Sequence, residues 1–201
     1  ASYVAGGDSR ELTETEKEDS DVSINPRYWV EAGELDSRLD NMKWRNGWLL
    51  GWRDICRATD YRTLISSVIP RAAVGHKYLL MFPMAAPERV AALLANINSL
   101  TCDFVVRQKV GGTSLTLFTI RQIPVFSPNK YNDGDLAFIV PRVLELTYTA
   151  HDLAGWAQDL GYNAPPFAFD PDRRAILRAE LDAYYAKLYG LTRDELRYIL
   201  D

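Results

Sequence analysis

With 201 residues, a hydrophobic share of 47% and a net charge of −4, the chain is long enough for one sizeable core, or for one domain with an appended helical part. It holds no run of about 18 apolar residues and does not open on a basic stretch followed by an apolar one, so neither a membrane span nor a secretory signal is predicted, and a cytoplasmic location is expected. Two cysteines, Cys56 and Cys102, are too few for a disulfide framework and are expected as buried thiols. With only His76 and His151 beside them, no pair has the short spacing of a zinc site, and no metal is expected.

The charge is unevenly spread. Residues 1–52 carry −5, residues 53–130 carry +6 and residues 131–201 carry −5. Local potential steers and holds phosphate, so a basic middle between acidic ends predicts a polyanion site there; the competing reading is a solvated face.

Residues 1–24 are polar and acidic, with little to bury, and read as a disordered leader or linker. A short amphipathic helix is expected after Pro26, with Trp29, Val30, Leu35 and Leu39 on it. From Trp52 the pattern alternates, Trp52, Asp54 and Cys56 on one side and Arg53, Ile55 and Arg57 on the other, which predicts a strand. Two more strands are expected over Thr63–Pro70 and Gly75–Pro83, joined as an antiparallel meander. Residues 87–104 have proline in the first turn and apolar residues at helical spacing, predicting one helix that covers a face of the sheet. A basic glycine turn follows, with Arg107, Lys109, Gly111, Gly112 and Thr113. Then comes an alternating stretch, residues 114–125, expected to return to the sheet as a fourth strand. After Pro128 the chain becomes acidic and helical. The predicted C-terminal helices are 136–149, 150–162 ended by Gly161, one opened by Asp170 and Pro171 and closed by Gly190, and 192–200 opened by a Thr192/Glu195 capping box. The fold class is therefore α+β, a small mixed or antiparallel sheet covered by a helix and followed by a helical subdomain, with boundaries at 1–24, 25–130 and 131–201.

The common nucleotide-binding, metalloprotease and hydrolase signatures are missing. Asn163 to Phe167 reads N-A-P-P-F, similar to the loop with which amino-methyltransferases hold a flipped base. The inserted alanine and the absence of a glycine-rich turn upstream make it a structural turn. What remains is binding. Arg107, Lys109 and the amides around Gly111, Gly112 and Thr113 can hold phosphate, and Arg53, Arg57, Arg62, Arg71, Lys77 and Arg121 are candidates for phosphate contact or guanine reading. Arg53 and Arg57 share a strand face; Arg62 has an alternative role, buttressing the turn through Asp60. Trp48, Trp52 and Phe118 are expected in the core.

Four stretches carry a resemblance: PRYWV at 26–30, GWLLGWRDICRATDYRTLISSVIPR at 47–71, INSLTCDFVVRQKVGGTSLTLFTIRQIPV at 97–125 and RAELDAYYAKLYGLTRDELRYILD at 178–201. Together they resemble the C-terminal target recognition domain of large bacterial N6-adenine DNA methyltransferases, the single-chain type II restriction-modification enzymes and related phage-exclusion methylases. The most specific parts are Arg57-Ala58-Thr59 and Arg107-Gln108-Lys109 with Gly111-Gly112. The resemblance implies a sequence-specific double-stranded DNA recognition module without catalysis of its own. Its implied partner is a methyl-donor domain that uses S-adenosylmethionine, in a parent enzyme with or without restriction activity. The alternative is a protein-interaction or scaffold domain docking a partner subunit through its helical end, where Leu177, Leu181, Tyr184, Tyr185 and Leu188 form an apolar stripe.

Overall fold

A computed structural model describes residues 2–4 and 9–200. The architecture is α+β: a three-stranded antiparallel sheet and, beyond it, a helical C-terminal part. Ser2–Tyr3 (β1) pairs antiparallel with Ser9–Arg10 (β2). Glu14–Glu18 (α1) follows, started by a Thr13/Glu16 capping box. The leader expected to be disordered thus carries structure in its described part, and the main-chain N–H of His151 donates to the Ser20 carbonyl over 3.1 Å. Residues 1 and 5–8 of that leader lie outside the described residues. Ala32–Asn41 (α2) buries Leu39, whereas Tyr28, Trp29 and Val30 stay exposed.

The sheet is built on Trp48–Arg53 (β3). Trp48 through Trp52 are all buried, a run rather than an alternation, because this central strand is covered on both faces. Ser66–Pro70 (β4) pairs with one edge of β3, Trp48 opposite Pro70 and Trp52 opposite Ser66. Tyr78–Met81 (β5) pairs with the other edge, Leu50 opposite Met81 and Arg53 opposite Tyr78. The order β4-β3-β5 replaces the expected meander. β4 ends beside Trp48 and β5 begins beside Arg53, so residues 71–77 carry the chain back along the sheet and no β4–β5 hairpin can form. Gly51 is required at the centre of β3: a Cβ there would stand 2.4 Å from the Leu79 carbonyl oxygen and 2.5 Å from the Tyr78 ring.

The single helix expected over 87–104 is two, Pro87–Asn98 (α3) and Leu100–Lys109 (α4), bent by 58°. Asn98 and Ser99 explain the break, since their short polar side chains take up the Leu94 and Asn96 carbonyls in place of the helix. The Ser99 hydroxyl donates to the Asn96 carbonyl over 2.7 Å and accepts from the Cys102 N–H, ending one helix and starting the next. Because α4 runs to Lys109, Arg107 and Lys109 lie on its last turn and not in the glycine turn.

The expected fourth strand is a second correction. Ser114 makes one bridge to Ile55, and the Leu115 N–H donates to the Asp54 carbonyl over 2.7 Å. The chain then turns into a short helix, Leu117–Ile120 (α5). Leu115, Ile120 and Ile123 all pack on one apolar cluster. A strand would send positions 115 and 120 to opposite faces, so a helical turn satisfies the spacing that a strand does not.

The C-terminal helices are Asp133–Thr147 (α6), Ala154–Asp159 (α7), Pro171–Leu188 (α8) and Arg193–Leu200 (α9). Asp170 caps α8, the Thr192/Glu195 box starts α9, and Gly161 and Gly190 end α7 and α8 with φ of 80° and 74°. One core cluster joins the sheet to α3, α6 and α8 through residues from Leu39 to Tyr185. A second gathers Trp52, Cys56, Leu64, Ile97, Cys102, Val106 and Leu115. Among the described residues no single helix is long and apolar enough to cross a membrane.

Cys56 and Cys102 are free and buried in the second cluster. Burial pushes both thiols up, that of Cys102 to about 12. Only the thiolate attacks, so at about pH 8 the folded protein is expected to leave a chromogenic disulfide reagent unreacted, while the unfolded chain releases two equivalents. Rapid titration of either cysteine in the folded state would contradict that burial.

Candidate nucleic-acid interface

β3 runs out of the sheet at Arg53 and continues as an irregular extension in which the alternation does hold. Trp52, Asp54 and Cys56 are buried, and Arg53, Ile55 and Arg57 are exposed. Three hydrogen bonds seat this extension: Arg53 N–H to Ile65 O, Asp54 N–H to Lys77 O and Cys56 N–H to Thr113 O. The last one brings the glycine turn beside Arg57. Residues 57–63 then form a tight loop, with the Asp60 carboxylate accepting the Arg57 N–H over 3.0 Å and Arg53 Nη2 over 3.4 Å.

The candidate cations divide into two groups. Arg57, Lys109 and Arg121 are exposed and form no ion pair among the described residues. Arg53 joins them, its one partner being the long contact to Asp60. Each of these four is next in sequence to a residue of the second core cluster or packed on it, Trp52, Cys56, Val110 or Ile120, and Thr113 of the glycine turn accepts from Cys56. Gly111 and Gly112 are exposed, neither has a positive φ, and a Cβ on either would meet no atom within 4 Å. Among the described residues nothing requires glycine at these two positions. Their effect is to leave backbone N–H groups uncovered beside Lys109 and Thr113, an arrangement open to a phosphate.

The second group is committed within the chain. Arg107 donates to the Asp103 carboxylate, to the Ala58 carbonyl over 3.1 Å, and to the Asp60 and Tyr61 carbonyls over 2.6 and 2.7 Å. It clamps the 57–63 loop from behind. Arg62 pairs with Asp182 of α8 over 2.9 Å and does not buttress the turn through Asp60. Lys77 holds the strand extension through the buried Asp54 at 2.8 Å. Arg71 is bound to Asp36 and to the Trp44 and Asn46 carbonyls. It lies beyond Pro70, at the opposite end of the sheet from Arg53.

Sequence reasoning missed the apolar part of this edge. Trp48 and Trp52 are buried as expected, but Phe118 is 78% exposed, with Leu117 exposed next to it. The signal that could have found Phe118 is the odd-even conflict between Leu115 and Ile120, which turns the segment and swings Phe118 outward. An exposed flat ring three residues before Arg121 is a surface on which a base or sugar can stack. Asn163 to Phe167 is a packed turn: the Phe167 N–H donates to the Tyr148 carbonyl, and the Phe167 ring stacks on Tyr162 at 4.9 Å. The apolar stripe of α8 faces its own core, with Leu177, Leu181 and Tyr185 buried and Tyr184 and Leu188 half-buried. Comparison with known proteins gives no matching family model, no matching curated protein and no matching solved structure.

Proposed function

We propose that this chain is a sequence-recognition module for double-stranded DNA, of the kind that serves an adenine-N6 methyl-transfer domain carrying S-adenosylmethionine. The observation that carries the reading is that Arg57, Lys109 and Arg121 are exposed without an ion pair among the described residues, and Arg53 is held only by a long contact to Asp60, on the two segments that flank an uncovered glycine turn. Elsewhere on the basic segment, Arg62, Arg71, Lys77 and Arg107 are paired within the chain. The resemblance of residues 47–71 and 97–125 to target recognition domains falls on the two stretches that build this edge. On this reading Lys109, Arg121 and the amides of the turn hold phosphates. Arg53 and Arg57, projecting from one face of the strand extension with Ile55 between them, reach base edges.

The test is fluorescence anisotropy of a labelled random-sequence duplex. The two phosphate-holding cations give a log–log salt slope near −1.8, so affinity should fall roughly tenfold between about 50 and 200 mM salt. Lys109→Ala and Arg121→Ala should each reduce the slope by about 0.9, whereas Arg71→Ala should leave it unchanged. Equal slopes for all three variants would sink the assignment of this edge.

A further inference from the structure

Between β4, α3, α6 and α8 lies a cleft of about 430 Å³ that the DNA reading does not use. Its volume falls in the range of small-molecule sites, about 300 to 1,000 Å³. Leu64, Leu94, Val143, Leu146 and Leu181 give it an apolar wall. The polar part of the wall is dominated by three guanidinium groups, those of Arg62, Arg174 and Arg178, against the single carboxylate of Asp182.

The pairing among these groups is incomplete. Asp182 accepts from Arg62 over 2.9 Å with one oxygen and from the Leu100 N–H over 2.7 Å with the other. Both of its oxygens are therefore engaged, and Arg178, one helical turn before it, is left without a hydrogen bond or ion pair among the described residues. Arg174 sits one turn earlier still, half-buried, with the Leu146 carbonyl at 2.8 Å and the Phe169 ring beneath it, but no carboxylate. Like charges a turn apart repel, and burial together with Arg178 pushes the Arg174 guanidinium down from its ordinary value. Arg62 is half-buried, and its Nη1 is sealed from solvent with no acceptor among the described residues. A buried donor left unmade is costly, and a small turn of the guanidinium about its Asp182 bond would offer it to an entering oxygen.

The geometry points to a binding site for a small organic anion, a phosphate or carboxylate on an apolar body, with the anion taken by Arg174 and Arg178, Arg62 closing on it, and the body against Leu146 and Val143. The site stands apart from the DNA edge. Its three guanidinium groups, those of Arg62, Arg174 and Arg178, are none of the four cations assigned to that edge.

Isothermal titration with four probes tests it: octyl phosphate and octanoate, which combine both features, inorganic phosphate, which lacks the body, and octanamide, which lacks the charge. The two amphiphilic anions should bind at least about tenfold more tightly than either single-feature probe, and their order identifies the headgroup. Arg178 makes no contact that the fold depends on, so Arg178→Ala should keep the melting temperature and weaken both anions by about tenfold, while Leu146→Trp should abolish binding by filling the cleft. Duplex affinity should survive both changes. Equal binding of octanamide and octanoate, or anion affinity untouched by Arg178→Ala, overturns the proposal. Loss of duplex binding in Arg178→Ala overturns it as well, by making the cleft part of the DNA surface.

Discussion

Trp48→Ala is expected to lower the unfolding free energy by about 3 to 5 kcal/mol, the range for removing a large aromatic from a packed core. Trp48 has no exposed surface. Its ring meets Trp44 edge-on at 5.1 Å and Trp156 at 4.7 Å, its indole N–H donates to Asp159 over 2.7 Å, and its carbonyl accepts the Trp44 indole N–H over 2.7 Å. One side chain thus joins α2's exit, the central strand and α7. Urea unfolding followed by circular dichroism measures the loss. Trp48→Phe separates the contributions: it keeps much of the packing and removes only the hydrogen bond to Asp159, whose exposed carboxylate water takes up, at a cost of about 0.5 to 1.5 kcal/mol. A loss below about 1.5 kcal/mol for the alanine variant would mean that the site collapses around the cavity and that the aromatic junction is not a keystone of this core.

The second large effect is expected at Arg107. A phosphate-binding role would make Arg107→Ala a binding variant of unchanged stability. The structure places its guanidinium on three carbonyls of the 57–63 loop and on Asp103, whose side chain is 3% exposed. Removing the arginine leaves that carboxylate buried with only the Leu64 N–H as partner, so stability should fall by about 2 to 4 kcal/mol. Arg107→Lys should recover little, because an ammonium cannot span three acceptors and a carboxylate at once. Thermal unfolding without DNA distinguishes the two roles. An Arg107→Ala variant that melts with the parent protein but loses duplex affinity would return Arg107 to the DNA contacts.

Much of the architecture was legible in periodicity and caps. Proline in the first turn of α3, the Asp170 cap of α8 and the Thr192/Glu195 box each mark a helix start by a local rule, and local rules survive tertiary packing. The alternation over 52–57 was legible for the same reason. Pairing was not. Whether β5 lies beside β4 or beside β3 depends on the route of residues 71–77, which carry no pattern that fixes it. The segment after Gly112 failed because alternating side chains were read as a strand, while the core on which Leu115, Ile120 and Ile123 converge was not visible in the sequence. For the basic residues, type and spacing identify a cation but not its partner. Arg62 and Arg107 meet residues about 120 and 40 to 50 positions away, distances at which no sequence motif operates.

The way Arg107 grips its loop also bears on how such a surface could be altered. The anchor takes hold of main-chain carbonyls at Ala58, Asp60 and Tyr61, groups that every residue type possesses. The outward side chains at Ala58, Thr59 and Tyr61 are not what the anchor holds. These three positions could therefore be randomised in a library while the loop keeps its shape, making the segment a graftable frame for new binding specificities.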